Sequence, residues 1–324
     1  MGVLASRLSD SVFIADLDAR EKSLGRFLLT LGAGLPAGFV VGILVGVAAL
    51  AAIVFGAGPL IGGADAFRTA VALLLGAQAP GLARAVTFTL LAAATNVPLA
   101  ATFLAVAAAV SGRSMFGYVS AAPRFRWGLL WLGLAFSAVV IGGVVVASSL
   151  LDPRAPAFPV LSIASGTANR VGYGLVSFAL LIPAAAAEEF VFRGWLLRQS
   201  AALSRNPIFL MALNGVLFSA VHGDFAPDAF LTRWVMGAGF VYMTLRLGGT
   251  EFSTGAHAAN NILIVLFIQP LTLKPTPSAG ITGASLFQDL FLLASYVAMA
   301  EIAARWGPLR RLAGASATRE EPGA

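Results

Sequence analysis

The chain has 324 residues, of which 58% are hydrophobic and only 11% charged, and its mean hydropathy is +0.87. These values exclude an ordinary soluble domain, and repeated apolar runs of about 20 residues, each long enough to cross a hydrocarbon core, indicate an all-α polytopic membrane protein. The formal net charge of +6 is carried by residues scattered through short loops, which sets membrane orientation and argues against nucleic acid as a partner. With no cysteine, disulfides and thiolate metal sites are excluded.

In chain order, residues 1–26 mix Asp10, Asp16, Asp18, Arg20, Glu21 and Lys22 with Val12, Phe13, Ile14 and Leu17. This pattern predicts a cytoplasmic or interfacial amphipathic segment. No secretory signal is expected, because the first long apolar run starts near Phe27 and is too long for one. A transmembrane domain is expected over 27–306 and a polar cytoplasmic tail over 307–324. Eight spans are predicted, at about 30–57, 85–111, 127–150, 171–199, 207–222, 229–246, 254–271 and 285–304. In the first, Gly34, Gly38, Gly42 and Gly46 recur every four residues, leaving one helix face bare for close packing. The stretch GADAFRTAVALLLGAQAPG is too short and punctuated for a crossing and reads as an interfacial helix, and GASATREEPGA reads as a disordered tail.

An even number of spans puts both termini on one side. That side collects most of the basic residues, among them Arg7, Arg26, Arg113, Arg126, Arg198, Arg205, Arg246, Arg310 and Arg311. The positive-inside bias therefore predicts an integral membrane protein with cytoplasmic termini.

Within the apolar spans, full charges are nearly confined to Glu188, Glu189 and Arg193, with Glu301 near the end of the last span. Ionisable residues at membrane depth mark function. Glu188 and Glu189 diverge by about 100° on a helix and cannot form a facing dyad. Glu189 precedes Arg193 by four residues, the favoured order for a same-face ion pair, which leaves Glu188 free for proton transfer. The only two histidines stand in LFSAVHG and GAHAANN. His222 follows Phe218 by four residues, and His257 precedes Asn261 by four, each pair sharing a helical face.

The motifs EEFVFRG, FSAVH and HAANN resemble EExxxR, FxxxH and HxxxN of the CPBP intramembrane proteases, the family that includes the CAAX prenyl endopeptidase Rce1 and bacterial relatives. The resemblance covers about 171–268. It implies a glutamate-dependent endopeptidase acting within the membrane on a membrane-embedded or lipidated peptide, without cofactor or metal. Carried onto this chain, Glu188 activates water with help from His222, His257 and Asn261 stabilise the oxyanion, and Glu189, Arg193 and Phe218 support the site. HxxxN spacing, more than angle, selects Asn261 over Asn260. Three rival readings use the same residues: a zinc protease liganded by His222, His257 and a glutamate, a proton-coupled transporter, and an inactive scaffold. The zinc reading lacks an HExxH motif, and the spans show no inverted repeat of the transporter kind.

Overall fold

A computed structural model describes residues 3–61, 81–151, 157–271 and 280–313. The expected interfacial helix at 63–81, apart from Gly81, and the expected tail at 314–324 lie outside the described residues. Among these, every regular element is helical: α1 Val3–Ser9, α2 Val12–Ala15, α3 Leu24–Ile61, α4 Leu82–Ser111, α5 Trp127–Leu151, α6 Pro159–Ser162, α7 Gly166–Glu189, α8 Leu197–Leu203, α9 Pro207–Val221, α10 Pro227–Leu247, α11 Glu251–Leu263, α12 Gly283–Arg305 and α13 Gly307–Ala313. Two π-helical segments, Phe190–Leu196 and Ile264–Ile268, extend α7 and α11.

The eight predicted spans all overlap helical segments, and the fold is an all-α polytopic membrane bundle. The rods are not equivalent. Five are long and apolar enough to cross a bilayer unaided: Leu24–Ile53, Leu82–Ser111, Trp127–Leu150, Gly166–Leu203 and Gly283–Arg305. α9 has 15 residues, about 22 Å of helix and shorter than a hydrocarbon core. α10 and α11 carry more polar residues and are shielded by protein, every residue from Val235 to Leu247 being buried.

Small residues set the closest helix contacts. A Cβ on Gly38 would lie 2.9 Å from the Leu99 carbonyl oxygen, and one on Gly42 2.8 Å from that of Thr95. The bare face of α3 therefore packs on α4, while Leu28, Phe39, Ile43, Leu44 and Val47 on its other faces stay exposed, as a lipid-facing helix requires. α5 and α11 approach as closely, since a Cβ on Gly255 would overlap the Leu130 carbonyl and one on Gly133 that of Phe252.

Contacts between chain-distant residues tie one end of the bundle together. Arg126 donates to the Leu247 carbonyl at 2.8 Å and pairs with Glu251 at 2.7 Å, and Glu301 holds Arg246 at 2.7 Å. α10 stops at Gly248, whose φ of +70° suits glycine, and Ser120 bridges to Gly249 beyond it. The opposite ends of α4, α7 and α11 meet through Ala85, Tyr173 and Val265.

The N-terminal segment packs its apolar side on the bundle. It breaks at Ser11 into two short helices and folds against the tied end, burying Leu8, Phe13, Ile14 and Leu17 in the main core. Ser11 Oγ donates to the Leu245 carbonyl. Arg198, fully buried, meets Glu21 through two 2.7 Å hydrogen bonds and Asp16 at 2.9 Å. Burial pushes the Asp16 carboxyl up, but the Arg198 and Arg113 guanidiniums outweigh it and hold that carboxyl below its usual value. Asp16 therefore stays ionised at neutral pH as part of a clasp between N-terminus and bundle.

Candidate active site

α7 carries Pro183 five residues before Glu188. Proline has no N–H to give, so the helix is already weakened there. At Phe190 it widens into the π-helical segment, a distortion that concentrates at functional sites. Two features pin it. Gly194 lies against the Tyr118 carbonyl, where a Cβ would overlap, and Trp195 stacks on Phe27 at 5.5 Å and meets Phe103 edge-on at 4.9 Å.

Glu189 and Arg193 are both fully buried, with Arg193 NH1 3.0 Å from Glu189 Oε1. The guanidinium lies 4.2 Å from the centre of the Phe218 ring and 5.1 Å from that of Phe240. Cation–π contact thus replaces part of the hydration lost on burial. His257 also reaches Glu189, Nδ1 standing 2.9 Å from the same Oε1. Its Nε2 is 3.7 Å from Glu188 Oε2, too far for a direct hydrogen bond. The imidazole stacks on Phe240 with centroids 5.1 Å apart.

The divergence of the two glutamates therefore makes room for a ring. Glu188 and Glu189 do not face each other, yet one imidazole lies between them and turns a different nitrogen to each. The Glu189 contact fixes the orientation of His257, the usual service of a carboxylate behind a working histidine.

Glu188 faces open space, its side chain 24% exposed. It lines a cavity of about 260 Å³ with His222 and with residues of α4, α7, the π-helical segment and α9. His222 follows the last residue of α9, and the shortness of that helix brings it to the cavity. Its Nδ1 is 2.7 Å from the Phe218 carbonyl. A carbonyl only accepts, so the proton sits on Nδ1 and a neutral His222 keeps its Nε2 lone pair. Phe218 is buried at the centre, its ring 4.8 Å from that of His222 and 5.8 Å from that of His257.

His257 lies deeper than its place in the sequence suggests. Glu251, Phe252, Ser253 and Thr254 at the start of α11 are all completely buried, because the 115–126 segment covers that end, with Thr250 bonded to the Val119 carbonyl. The fold thus brings together Glu188, Glu189, Arg193, Phe218, His222 and His257. Asn261 is half-buried and is not among the residues lining the cavity. Asn260 is buried with its amide 3.5 Å from Met236 Sδ. Sequence reasoning missed Phe240 and Asn96; a lone amide in the apolar run of α4 was the available signal for the second. Among the described residues, no three His, Asp or Glu side chains are arranged to hold a metal ion.

Fold and cluster together define a polytopic helical membrane protein with a charged, histidine-bearing site inside its bundle. Residues 170–263 match the family model of the type II CAAX prenyl endopeptidase Rce1-like proteins, in agreement with the resemblance carried by the three motifs. The chain is 31% identical over 149 residues to the uncharacterized protein YyaK of Bacillus subtilis (strain 168), an alignment covering 43% of this chain and 48% of that protein. The chain thus spans about half the length of the curated relative it matches. No solved structure matches it.

Proposed function

We propose that the chain is an intramembrane endopeptidase of the CAAX-protease type, hydrolysing a peptide bond of a membrane-embedded or lipidated substrate by a glutamate mechanism. The observation that carries this reading is the His257 ring held between two glutamates beside a cavity that Glu188 shares with His222. Glu188 takes a proton from water in the cavity, and His222 Nε2 orients that water. The hydroxide adds to the peptide carbonyl. His257 donates from Nε2 to the oxyanion, and because its Nδ1 proton is directed at Glu189, this requires the imidazolium form. With Glu188 and Glu189 negative and Arg193 and His257 positive, the cluster is neutral before water is deprotonated. Glu188 then passes its proton to the leaving amine as the C–N bond breaks.

HxxxN spacing suggests Asn261 as a second donor to the oxyanion, a role that requires its side chain to turn toward the cavity it does not line. The end clasped by the N-terminal segment is cytoplasmic in this reading, so a reporter fused after Arg311 is expected to read as cytoplasmic. An external reading reverses the side from which substrate enters.

The full chain, reconstituted in liposomes, tests the proposal. The probes are a quenched fluorescent peptide ending in a farnesylated Cys-aliphatic-aliphatic-X sequence, its unprenylated twin, and fluorogenic casein. Cleavage of at least one is expected, with the rate unchanged after dialysis against a strong chelator. Failure of folded protein to cleave any of the three defeats the peptidase reading. Loss on chelation with recovery on added zinc transfers the site to a metalloprotease.

A further inference from the structure

The cavity has one polar wall residue that none of the three motifs contains. Asn96 comes from α4, outside the Rce1-like segment at 170–263, and it lines the cavity with Glu188 and His222. The rest of the wall is Leu99, Ala100, Ala187, Val191, Phe192 and Val221, whose side chains offer no hydrogen bond. No hydrogen bond joins the Asn96 carboxamide to any other described residue. Its neighbour Thr95 is engaged otherwise, donating to the Leu91 carbonyl at 2.7 Å and packing on the glycine face of α3.

An amide placed in an apolar helix at membrane depth is costly unless something pairs with it. A substrate main chain meets the same difficulty from the other side, since its N–H and C=O lose water on entering an apolar cavity. A carboxamide has one donor group and one acceptor, which match the two groups of a peptide unit. A carboxylate or an ammonium would match only one of them.

We propose that Asn96 is a substrate-binding residue whose carboxamide hydrogen-bonds the main chain of the peptide occupying the cavity, next to the bond presented to Glu188. The inference rests on the peptidase reading for the identity of the ligand. Its chemistry selects extended peptide backbone and is indifferent to side chains. Asn96 binds ground state and transition state alike, because the contacted peptide unit is not the one that changes charge.

Two measurements test it. The chain has no native cysteine, so Asn96→Cys introduces a single thiol. In proteoliposomes a water-soluble cationic methanethiosulfonate is expected to modify Cys at position 96, and the unprenylated quenched peptide, added at saturation in the Glu188→Gln background, is expected to slow modification at least about threefold. Val40→Cys, on the exposed face of α3, is the control expected to show neither effect. No modification at position 96, or modification that the peptide leaves unchanged, overturns the proposal without touching the peptidase reading. The second measurement is steady-state cleavage of the same peptide. Asn96→Ala is expected to raise KM about tenfold, the loss of one ordinary hydrogen bond, and to leave kcat within about twofold, with Asn96→Gln intermediate in KM. A fall in kcat at constant KM overturns it, because that pattern belongs to a transition-state contact. If the unsubstituted chain cleaves nothing while the peptide still protects position 96, the peptidase reading fails and Asn96 stands as a peptide-binding residue.

Discussion

Glu188→Gln is expected to lower hydrolysis by about 10²- to 10⁴-fold, the usual contribution of a positioned general base, while leaving folded yield and melting temperature close to those of the parent. The expectation follows from what Glu188 does and does not touch. It opens on the cavity at 24% exposure, and its nearest ionisable neighbour, His257 Nε2, is 3.7 Å away. Glutamine keeps the shape and loses the capacity to take a proton together with a charge that opens on the cavity, so nothing in the packing changes. The loss belongs in kcat, because no binding contact is removed. Cleavage assays with circular dichroism melting on the same preparations decide the matter. Activity that survives in Glu188→Gln removes this residue from the chemistry.

Glu189→Gln reverses the pattern. Glu189 Oε1 lies 3.0 Å from Arg193 NH1 and 2.9 Å from His257 Nδ1, and Glu189 and Arg193 are fully buried. Removing the carboxylate strands a guanidinium between Phe218 and Phe240, where cation–π contact and a 3.5 Å hydrogen bond to the Gly237 carbonyl do not replace it. Breaking a buried pair in this way costs about 3–5 kcal/mol. The variant is expected to lose much of its folded yield, and the fraction that folds to lose activity because His257 is no longer held. A double variant, Glu189→Gln with Arg193→Met, is expected to recover yield without recovering activity, since an apolar side chain of similar length removes the stranded charge. Equal melting temperatures for Glu188→Gln and Glu189→Gln would refute the division of labour between the two.

What the sequence disclosed and what it hid divide along local against non-local physics. The rods were legible because an apolar run announces a membrane helix without reference to its neighbours. The glycine face of α3 and the Glu189–Arg193 pair were legible for the same reason, each being a relation within one helix. The place of His257 between the glutamates was not, because it depends on how α11 sits between α7 and α5, and its seat on α5 is a backbone contact at Gly133 and Gly255 with no periodic signature. The adjacency argument about Glu188 and Glu189 was sound for two carboxylates and incomplete for a ring with a nitrogen on each side. The π-helical segment at 190–196 was hidden too, since Phe190, Val191 and Phe192 fit an ordinary helix equally well. The N-terminal clasp requires Arg198 and Leu245, far along the chain, and short-range amphipathicity showed only that residues 12–17 have an apolar side.

That clasp has a consequence for how the protein is made. Ser11 is bonded to a carbonyl 234 residues later, and the Phe13 carbonyl accepts from Arg198, 185 residues later. At about 5–20 residues per second, the ribosome emits Ser11 on the order of 10 to 50 s before its partner exists. Through that interval Leu8, Phe13, Ile14 and Leu17 have no core to enter, and the lipid headgroup region is the place where such a segment can wait. The later helices that carry Arg198 and Leu245 then draw it in. Closure of the N-terminal segment therefore marks the point in biogenesis at which α7, α8 and α10 have taken their places, and with them the two glutamates that α7 carries.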